Sequence, residues 1–454
     1  MPSLSLLPLF SLISLFSLSS AYTTTLSLSP AAFAPPLSNP WQRLNHLATA
    51  SATRAHHLKL PKTNISATKV PLFPRGYGGY SISLSFGTPP QTLSFVMDTG
   101  SSLVWFPCTQ RYTCNSCNFV SVNPSNISTF IPRSSSSSRI VGCKNPKCRW
   151  VFPGVQCKEC EGNPTACTEF CPPYIIQYGS GSTTGLLLSE TLLFPEKPVN
   201  NFVVGCSIFS SRQPSGIAGF GRGPESLPAQ MGLKRFSYCL VSHRFDDTPV
   251  SSDLVLVSGA AAGKGSATNY TPFRKNPSSS NPAYQDYYYV TLRKITVGGV
   301  NVKAPYKFLV PDSDGNGGTI VDSGTTFTFM ENPVFELVAQ QFEKQVGKNY
   351  SRATEVENQS GLRPCFNISG ENSVILPQLS FHFKGGAEMV LPLADYFSFF
   401  DDSVICMTIV TNSAAEGEVG PGPAIILGNY QQQNFYLEYD LENERLGFQK
   451  QLCK

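Results

Sequence analysis

A chain of 454 residues is long enough for two domains with a sizeable core. Hydrophobic residues make up 41% and charged residues only 14%, and the many Thr, Ser, Tyr and Phe favour strands over helices. The formal net charge is +4, but Arg43, Arg54, Lys59, Lys62, Lys69 and Arg75 all precede Gly76 and no acid precedes Asp98, so the body from Gly76 onward has no basic block to track a phosphate backbone and nucleic acid is excluded as a partner.

Residues 1–21 hold a Leu-rich apolar core ending in Ser19-Ser20-Ala21, a small-residue cleavage pattern, and read as a signal peptide. Export predicts a secreted, extracellular protein of the apoplast or cell wall, with vacuole or plastid as the other destinations. No later run is long and apolar enough to span a bilayer. Residues 22–75 are rich in Pro, Ala, Ser and Thr, are basic and acid-free, and read as a removable prosegment; a disordered, solvated extension is the alternative.

The first lobe is expected over 76–258. Alternating Ile82, Leu84 and Phe86, a Gly87-Thr88-Pro89-Pro90 turn and a returning strand read as a hairpin that ends in Asp98-Thr99-Gly100-Ser101. An insertion over 108–171 holds nine cysteines: Cys108, Cys114, Cys117, Cys143, Cys148, Cys157, Cys160, Cys167 and Cys171. Two Cys-X-X-Cys pairs within it have zinc-like spacing, but an export signal and an even total of fourteen favour disulfides. Tyr174 to Leu188 reads as a second hairpin with a Gly/Ser-rich tip. A Gly/Ala/Ser/Pro-rich linker is expected over 259–283 and a second lobe over 284–454.

In the second lobe the pattern repeats. A hairpin with a Gly298-Gly299 turn precedes a strand that ends in Asp322-Ser323-Gly324-Thr325. Asp312 to Asn316 mimics the start of a calcium loop, but its twelfth position is Ser323 rather than Glu, so a tight turn is the better reading. A helix is expected with Asn332 as cap, Val334, Leu337, Val338, Phe342 and Val346 on one face, and its end at Gly347. Cys365 and Cys406 form the natural pair within this lobe, leaving Cys453 for Cys206 or Cys239. Asn64, Asn126, Asn269, Asn349, Asn358 and Asn367 each open a glycosylation sequon.

The two Asp motifs lie 224 positions apart (322 minus 98), and each is followed later by an apolar-apolar-Gly segment, Ile217-Ala218-Gly219 and Ile426-Leu427-Gly428. This is an internal duplication, and it predicts an all-β fold of two similar lobes, with a few short helices, each giving one carboxylate to a shared cleft. The motifs, with Trp105 and Tyr178-Gly179-Ser180-Gly181, resemble the pepsin-like aspartic proteases from about Tyr77 to the end. The Cys-rich insertion and Gly219-Phe220-Gly221-Arg222-Gly223-Pro224 resemble the plant nepenthesin-like branch.

The resemblance implies a bilobal pepsin-like fold and an aspartic endopeptidase acting on protein or peptide substrates at acidic pH, without metal or cofactor, as a monomer. It implies Asp98 and Asp322 as the catalytic pair, Ser101 and Thr325 on their outer oxygens, Thr99 and Ser323 locking the two loops, and Gly100 and Gly324 completing the motifs. Tyr178, Gly179 and Ser180 would form a flap over substrate, with Trp105 donating a hydrogen bond. Ser323 stands where pepsin-type enzymes usually carry Thr, and it keeps the hydroxyl. The rival reading is a catalytically inactive binding protein like the plant xylanase inhibitors; such relatives tend to lose catalytic-motif residues, which are intact here. Charge segregation also predicts that the basic segment plugs the cleft at neutral pH, with Lys59, Lys62 or Lys69 between the carboxylates, and leaves as they protonate.

Overall fold

The computed structural model describes residues 22–31, 40–59, 79–117, 127–160, 167–179, 181–194, 198–242, 251–258, 267–278, 281–371, 373–399, 403–412 and 421–453. The fold is mainly β. Residues 1–21, expected as a signal peptide, and sequons Asn64 and Asn126 lie outside the described residues. No described helix is long and apolar enough to cross a membrane.

Strand β1 spans Tyr22–Ala31, helix α1 Pro40–Lys59, β2 Gly79–Phe86 and β3 Gln91–Asp98. β2 and β3 pair antiparallel with Ile82 opposite Phe95 and Leu84 opposite Leu93. Their two-residue alternation sends these four side chains into the main core. The tight turn between them begins at Gly87, whose φ of 93° is open to glycine and costly for other residues. The second-lobe hairpin joins Leu292–Val297 to Val300–Val302 through Gly298 and Gly299, at φ 57° and 77°. Two successive left-handed residues are what a tight hairpin turn demands.

Each apolar-apolar-Gly segment lies parallel to an Asp-bearing strand. Gly216–Gly219 runs beside β3 with Gly219 level with Asp98. Ile425–Leu427 runs beside Thr319–Val321, one residue short of Asp322. Both carboxylates therefore emerge from the C-terminal ends of buried strands with the same neighbours.

One sheet connects the lobes. Strands 435–440 and 445–450 from the chain's end pair through 233–239 and 252–258 to β1, then to β2 and β3. The segment expected as a Pro-rich leader thus supplies a strand bonded on both edges, Tyr22 opposite Ser258 on one side and Ala31 opposite Gly79 on the other. Its second element, α1, begins at Pro40, a residue suited to a first helical turn. Leu44, Leu47, Ala48, Ser51, Ala52 and Ala55 form a buried stripe at helical spacing. Composition hid this helix, because its buried stripe is mostly Ala and Ser. The expected linker likewise contains a strand, Asn269–Pro272, paired with 445–450.

The second-lobe helix runs Asn332–Val346 and ends at Gly347, but its cap is Glu331 rather than Asn332, and Phe335 and Ala339 join the buried face while Leu337 is only partly buried. All fourteen cysteines are paired. Cys108 bonds Cys206, and the other eight of the insertion pair among themselves as Cys114–Cys117, Cys143–Cys157, Cys148–Cys171 and Cys160–Cys167. Cys239 bonds Cys453 and Cys365 bonds Cys406. Among the described residues no group of three or more His, Cys, Asp or Glu side chains is placed to hold a metal ion. The described sequon asparagines Asn269, Asn349, Asn358 and Asn367 are exposed.

Seven bridges make a clear expectation for the protein as produced in an oxidising compartment. Intact mass under denaturing conditions should rise by fourteen hydrogens on reduction, and metal analysis should find no stoichiometric zinc. Zinc together with unoxidised thiols in the 108–171 insertion would contradict the pairing.

Candidate active site

The two carboxylates meet where the lobes meet, Asp98 at 2% exposure and Asp322 at 0%. Their settings are near copies. Gly100 N donates to Asp98 Oδ1 at 2.9 Å and Ser101 Oγ to Oδ2 at 2.6 Å. Gly324 N donates to Asp322 Oδ1 at 2.8 Å and Thr325 Oγ1 to Oδ2 at 2.6 Å. A glycine follows each by two positions because nothing larger fits. A Cβ on Gly100 would lie 2.7 Å from Asp322 Oδ1, and one on Gly324 2.3 Å from Asp98 Oδ1. Each loop is thus packed against the opposite carboxylate.

The residues between Asp and Gly tie the lobes together. Thr99 N donates to Ser323 Oγ at 3.1 Å, and Ser323 N to Thr99 Oγ1 at 2.9 Å. Each hydroxyl then donates onward, Thr99 Oγ1 to Val321 O at 3.3 Å and Ser323 Oγ to Met97 O at 3.0 Å. Serine at 323 serves this lattice as its hydroxyl predicts. Residues not singled out from sequence hold the loops from below. Asn429 Nδ2 donates to Ser323 O at 3.0 Å, and Gln432, held by the Tyr238 hydroxyl, donates to Leu427 O at 2.8 Å. Their signal was present as the polar run Asn429 to Gln433, buried directly after Ile426-Leu427-Gly428.

Helix α1 fills the cleft. Arg54 Nη2 lies 2.9 Å and 3.0 Å from the two oxygens of Asp98, and its Nε lies 3.5 Å from Asp322 Oδ2. This corrects the expectation of Lys59, Lys62 or Lys69: Arg54 stands between the carboxylates, Lys59 ends the helix, and Lys62 and Lys69 lie outside the described residues. The reason is geometric, because a planar fork reaches two carboxylates at once and an ammonium is a single point. Ser51 Oγ accepts from Phe327 N at 2.8 Å. Leu44, Leu47, Ala48, Ala52 and Ala55 pack on second-lobe residues such as Tyr287, Phe327 and Tyr430.

The hairpin Tyr174–Tyr178 to Gly181–Leu193 closes over the helix, with Tyr178 opposite Gly181 at its tip; Ser180 lies outside the described residues. Trp105 Nε1 donates to the Tyr178 hydroxyl at 2.8 Å, and the Arg54 guanidinium lies 5.8 Å from the Tyr178 ring centre. Gly179 rests so closely on α1 that a Cβ there would lie 2.1 Å from Arg54 Cα.

Burial pushes the Asp322 carboxyl up to about 6, with Arg54 pulling it down and Asp98 pushing it further up. Burial alone would lower the Arg54 guanidinium, but Asp98 and Asp322 more than offset this and hold it charged. Burial also raises the Tyr178 hydroxyl, so it stays a neutral phenol.

Two β lobes, each bringing one Asp-hydroxyl-Gly loop to a shared cleft beneath a hairpin, define the pepsin-like fold. Models of two domains described as "Xylanase inhibitor N-terminal" and "Xylanase inhibitor C-terminal" match residues 80–256 and 287–450. The chain belongs to the pepsin-like aspartic protease family, in its nepenthesin-like branch. It is 35% identical to a probable aspartyl protease of Arabidopsis thaliana over 82% of each chain, and 34% identical to aspartic proteinase nepenthesin-2 of Nepenthes gracilis over 86% of this chain and 81% of that one. In fold it resembles edgp (TM-score 0.64, 17% identity, 95% of each chain covered) and basic 7S globulin from soybean (TM-score 0.60, 16% identity, 94% and 96% covered).

The charge geometry yields a titration test. Asp322 holds its proton more tightly in the fold than in an unfolded chain, where Asp titrates near ~3.9. The stability this gives is full below about pH 4 and is lost as pH rises through about 6. Arg54→Gln removes the strongest of the groups pulling the carboxyl down, the Thr325 and Gly324 hydrogen bonds being the others, so the Asp322 midpoint should move above that of the parent protein. Carboxyl carbon NMR of the two proteins reads it, and an unchanged or lowered midpoint would show that Arg54 does not govern the pair.

Proposed function

We propose that this protein is an aspartic endopeptidase, exported as a monomeric precursor, that cleaves protein substrates at acidic pH on Asp98 and Asp322. The observation that carries this reading is the matched setting of the two carboxylates. Both are buried, both accept a hydroxyl and a glycine N–H, and each is packed on the other's loop. Two carboxylates so close in a low-dielectric cleft share one proton, because both cannot ionise at acceptable cost.

With the cleft open, a water between them loses a proton to the ionised member as it attacks the scissile carbonyl. The protonated member passes its proton to the carbonyl oxygen, and a neutral gem-diol forms. The proton taken from water then moves to the departing amine, a gem-diol hydroxyl returns its proton to the other carboxylate, and the C–N bond breaks, which returns the pair to one shared proton. The hydroxyls of Ser101 and Thr325 fix the outer oxygens so that the inner ones face the water. Tyr178, anchored by Trp105, closes the flap and excludes bulk solvent.

In the precursor the guanidinium of Arg54 takes the place of that water. As pH falls and the pair gains a proton, the attraction for Arg54 weakens. The apolar contacts of α1 do not titrate, so acid loosens the plug and cleavage near Arg75 is needed to remove it. The reading as a binding protein draws on the xylanase-inhibitor description of the matching domain models, and the intact dyad setting favours the protease.

The mature protein should hydrolyse denatured protein at acidic pH and be blocked by a statine-type transition-state mimic. Asp98→Asn and Asp322→Asn should each lower kcat at least about a hundredfold; proteolysis that survives either substitution, in preparations free of other proteases, rejects the dyad. Arg54→Ala in the full-length precursor should permit cleavage of a short peptide at a higher pH than the parent precursor allows. Identical pH profiles would separate the plug from the catalysis and discard only the plug.

A further inference from the structure

A second cavity lies away from the carboxylates. Its volume is about 520 Å³, and it is walled by the run Pro272 to Pro277, by Thr291, by Pro311 to Ser313 and by Lys384. The volume falls in the range of small-molecule sites, roughly 300–1,000 Å³. Backbone bonds fix two of its walls, Arg274 N donating to Tyr289 O at 2.8 Å and Lys384 N to Thr291 O at 2.9 Å.

Three cations face this one concavity, Arg274, Lys275 and Lys384, and none is ion-paired with any described residue. The acid in the wall, Asp312, is committed to its own turn. Its Oδ1 accepts from Asp314 N and Asn316 N, each at 2.9 Å, and its Oδ2 from Asn316 Nδ2 at 3.2 Å. Burial works against the charge, but the bonds from Asn316 and Asp314 prevail and hold the carboxyl below its usual range. The turn that mimics a calcium loop in sequence therefore closes on itself. Three cations against the one ionised Asp312 leave the wall with a net charge of +2 (3 − 1), and a concave surface focuses that positive potential, which an anion relieves. Arg274 offers a fork for two oxygens of one acid group, and the lysines offer point charges for others. Pro272 and Pro311 give the same cavity apolar ring surfaces.

We propose that this cavity binds an anionic sugar, a uronate or a sugar phosphate, with Arg274, Lys275 and Lys384 on its acid groups and Pro272 and Pro311 against the C–H faces of its ring. The site shares no residue with the dyad or flap, so it stands independently of the proteolytic reading.

Calorimetric titration of the full-length protein at about pH 6, where carboxylates are ionised, tests it with four probes: trigalacturonate, glucose 1,6-bisphosphate, neutral maltotriose and inorganic phosphate. Trigalacturonate or the bisphosphate should bind, and the tighter of the two names the acid group. Binding should weaken with added salt. Arg274→Gln combined with Lys384→Gln should weaken it at least about tenfold, with Lys348→Gln on the exposed surface as the unchanged control and circular dichroism confirming the fold. The proposal is overturned if neither anionic sugar binds, if maltotriose or inorganic phosphate binds as tightly, or if the double variant matches the parent. Should the double variant fail to fold, Lys275→Glu replaces it, and retained affinity there overturns the proposal equally.

Discussion

The structure turns on one constraint: two carboxylates are held side by side, both buried. Nothing about a lone buried aspartate requires a second lobe. A pair does, because Thr99 and Ser323 must exchange backbone and hydroxyl bonds across the lobe boundary to keep the loops in register. The missing Cβ atoms of Gly100 and Gly324 set how near the carboxylates come. A side chain at either glycine would push a loop off the opposing Asp.

The leader segment answers the same constraint from the other side. A charged pair in a water-poor cleft is costly until something neutralises it, and Arg54 does so with one planar group. The helix that carries it lies under a hairpin whose Gly179 packs on the backbone of Arg54, while its buried Ala residues pack on the second lobe. Its Leu residues sit where the second lobe offers aromatic surface. Through β1 the same leader is woven into the sheet that joins the lobes. A segment that reads as an appendage in composition is therefore part of the folded core.

The relatives carry protease names, while the matching domain models carry an inhibitor description. On the proposed protease reading, fold and function separate: the lobes are scaffold, and the chemistry resides in a few side chains at the ends of two strands. The disulfide-bound insertion and the cationic cavity lie on that scaffold at other places, where loops can vary without disturbing the pair.

The sequence by itself determined the duplicated lobes, the strand-to-Asp motifs and the roles open to their hydroxyls, because these follow from local periodicity and from residue types that few other arrangements require. It also placed the turn glycines and the helix at 332–346, whose signals lie within a few residues of the elements they shape. Tertiary structure alone decided which cation meets the carboxylates, that Cys453 pairs with Cys239, and that Asn429 and Gln432 brace the loops. Apart from the Gln432–Leu427 bond, those contacts join residues tens to hundreds of positions apart, and composition carries no record of distance. Arg54 and Lys62 are equivalent as charges in a sequence; only a helix docked with its Leu and Ala residues on the second lobe brings the first of them to Asp98 and Asp322.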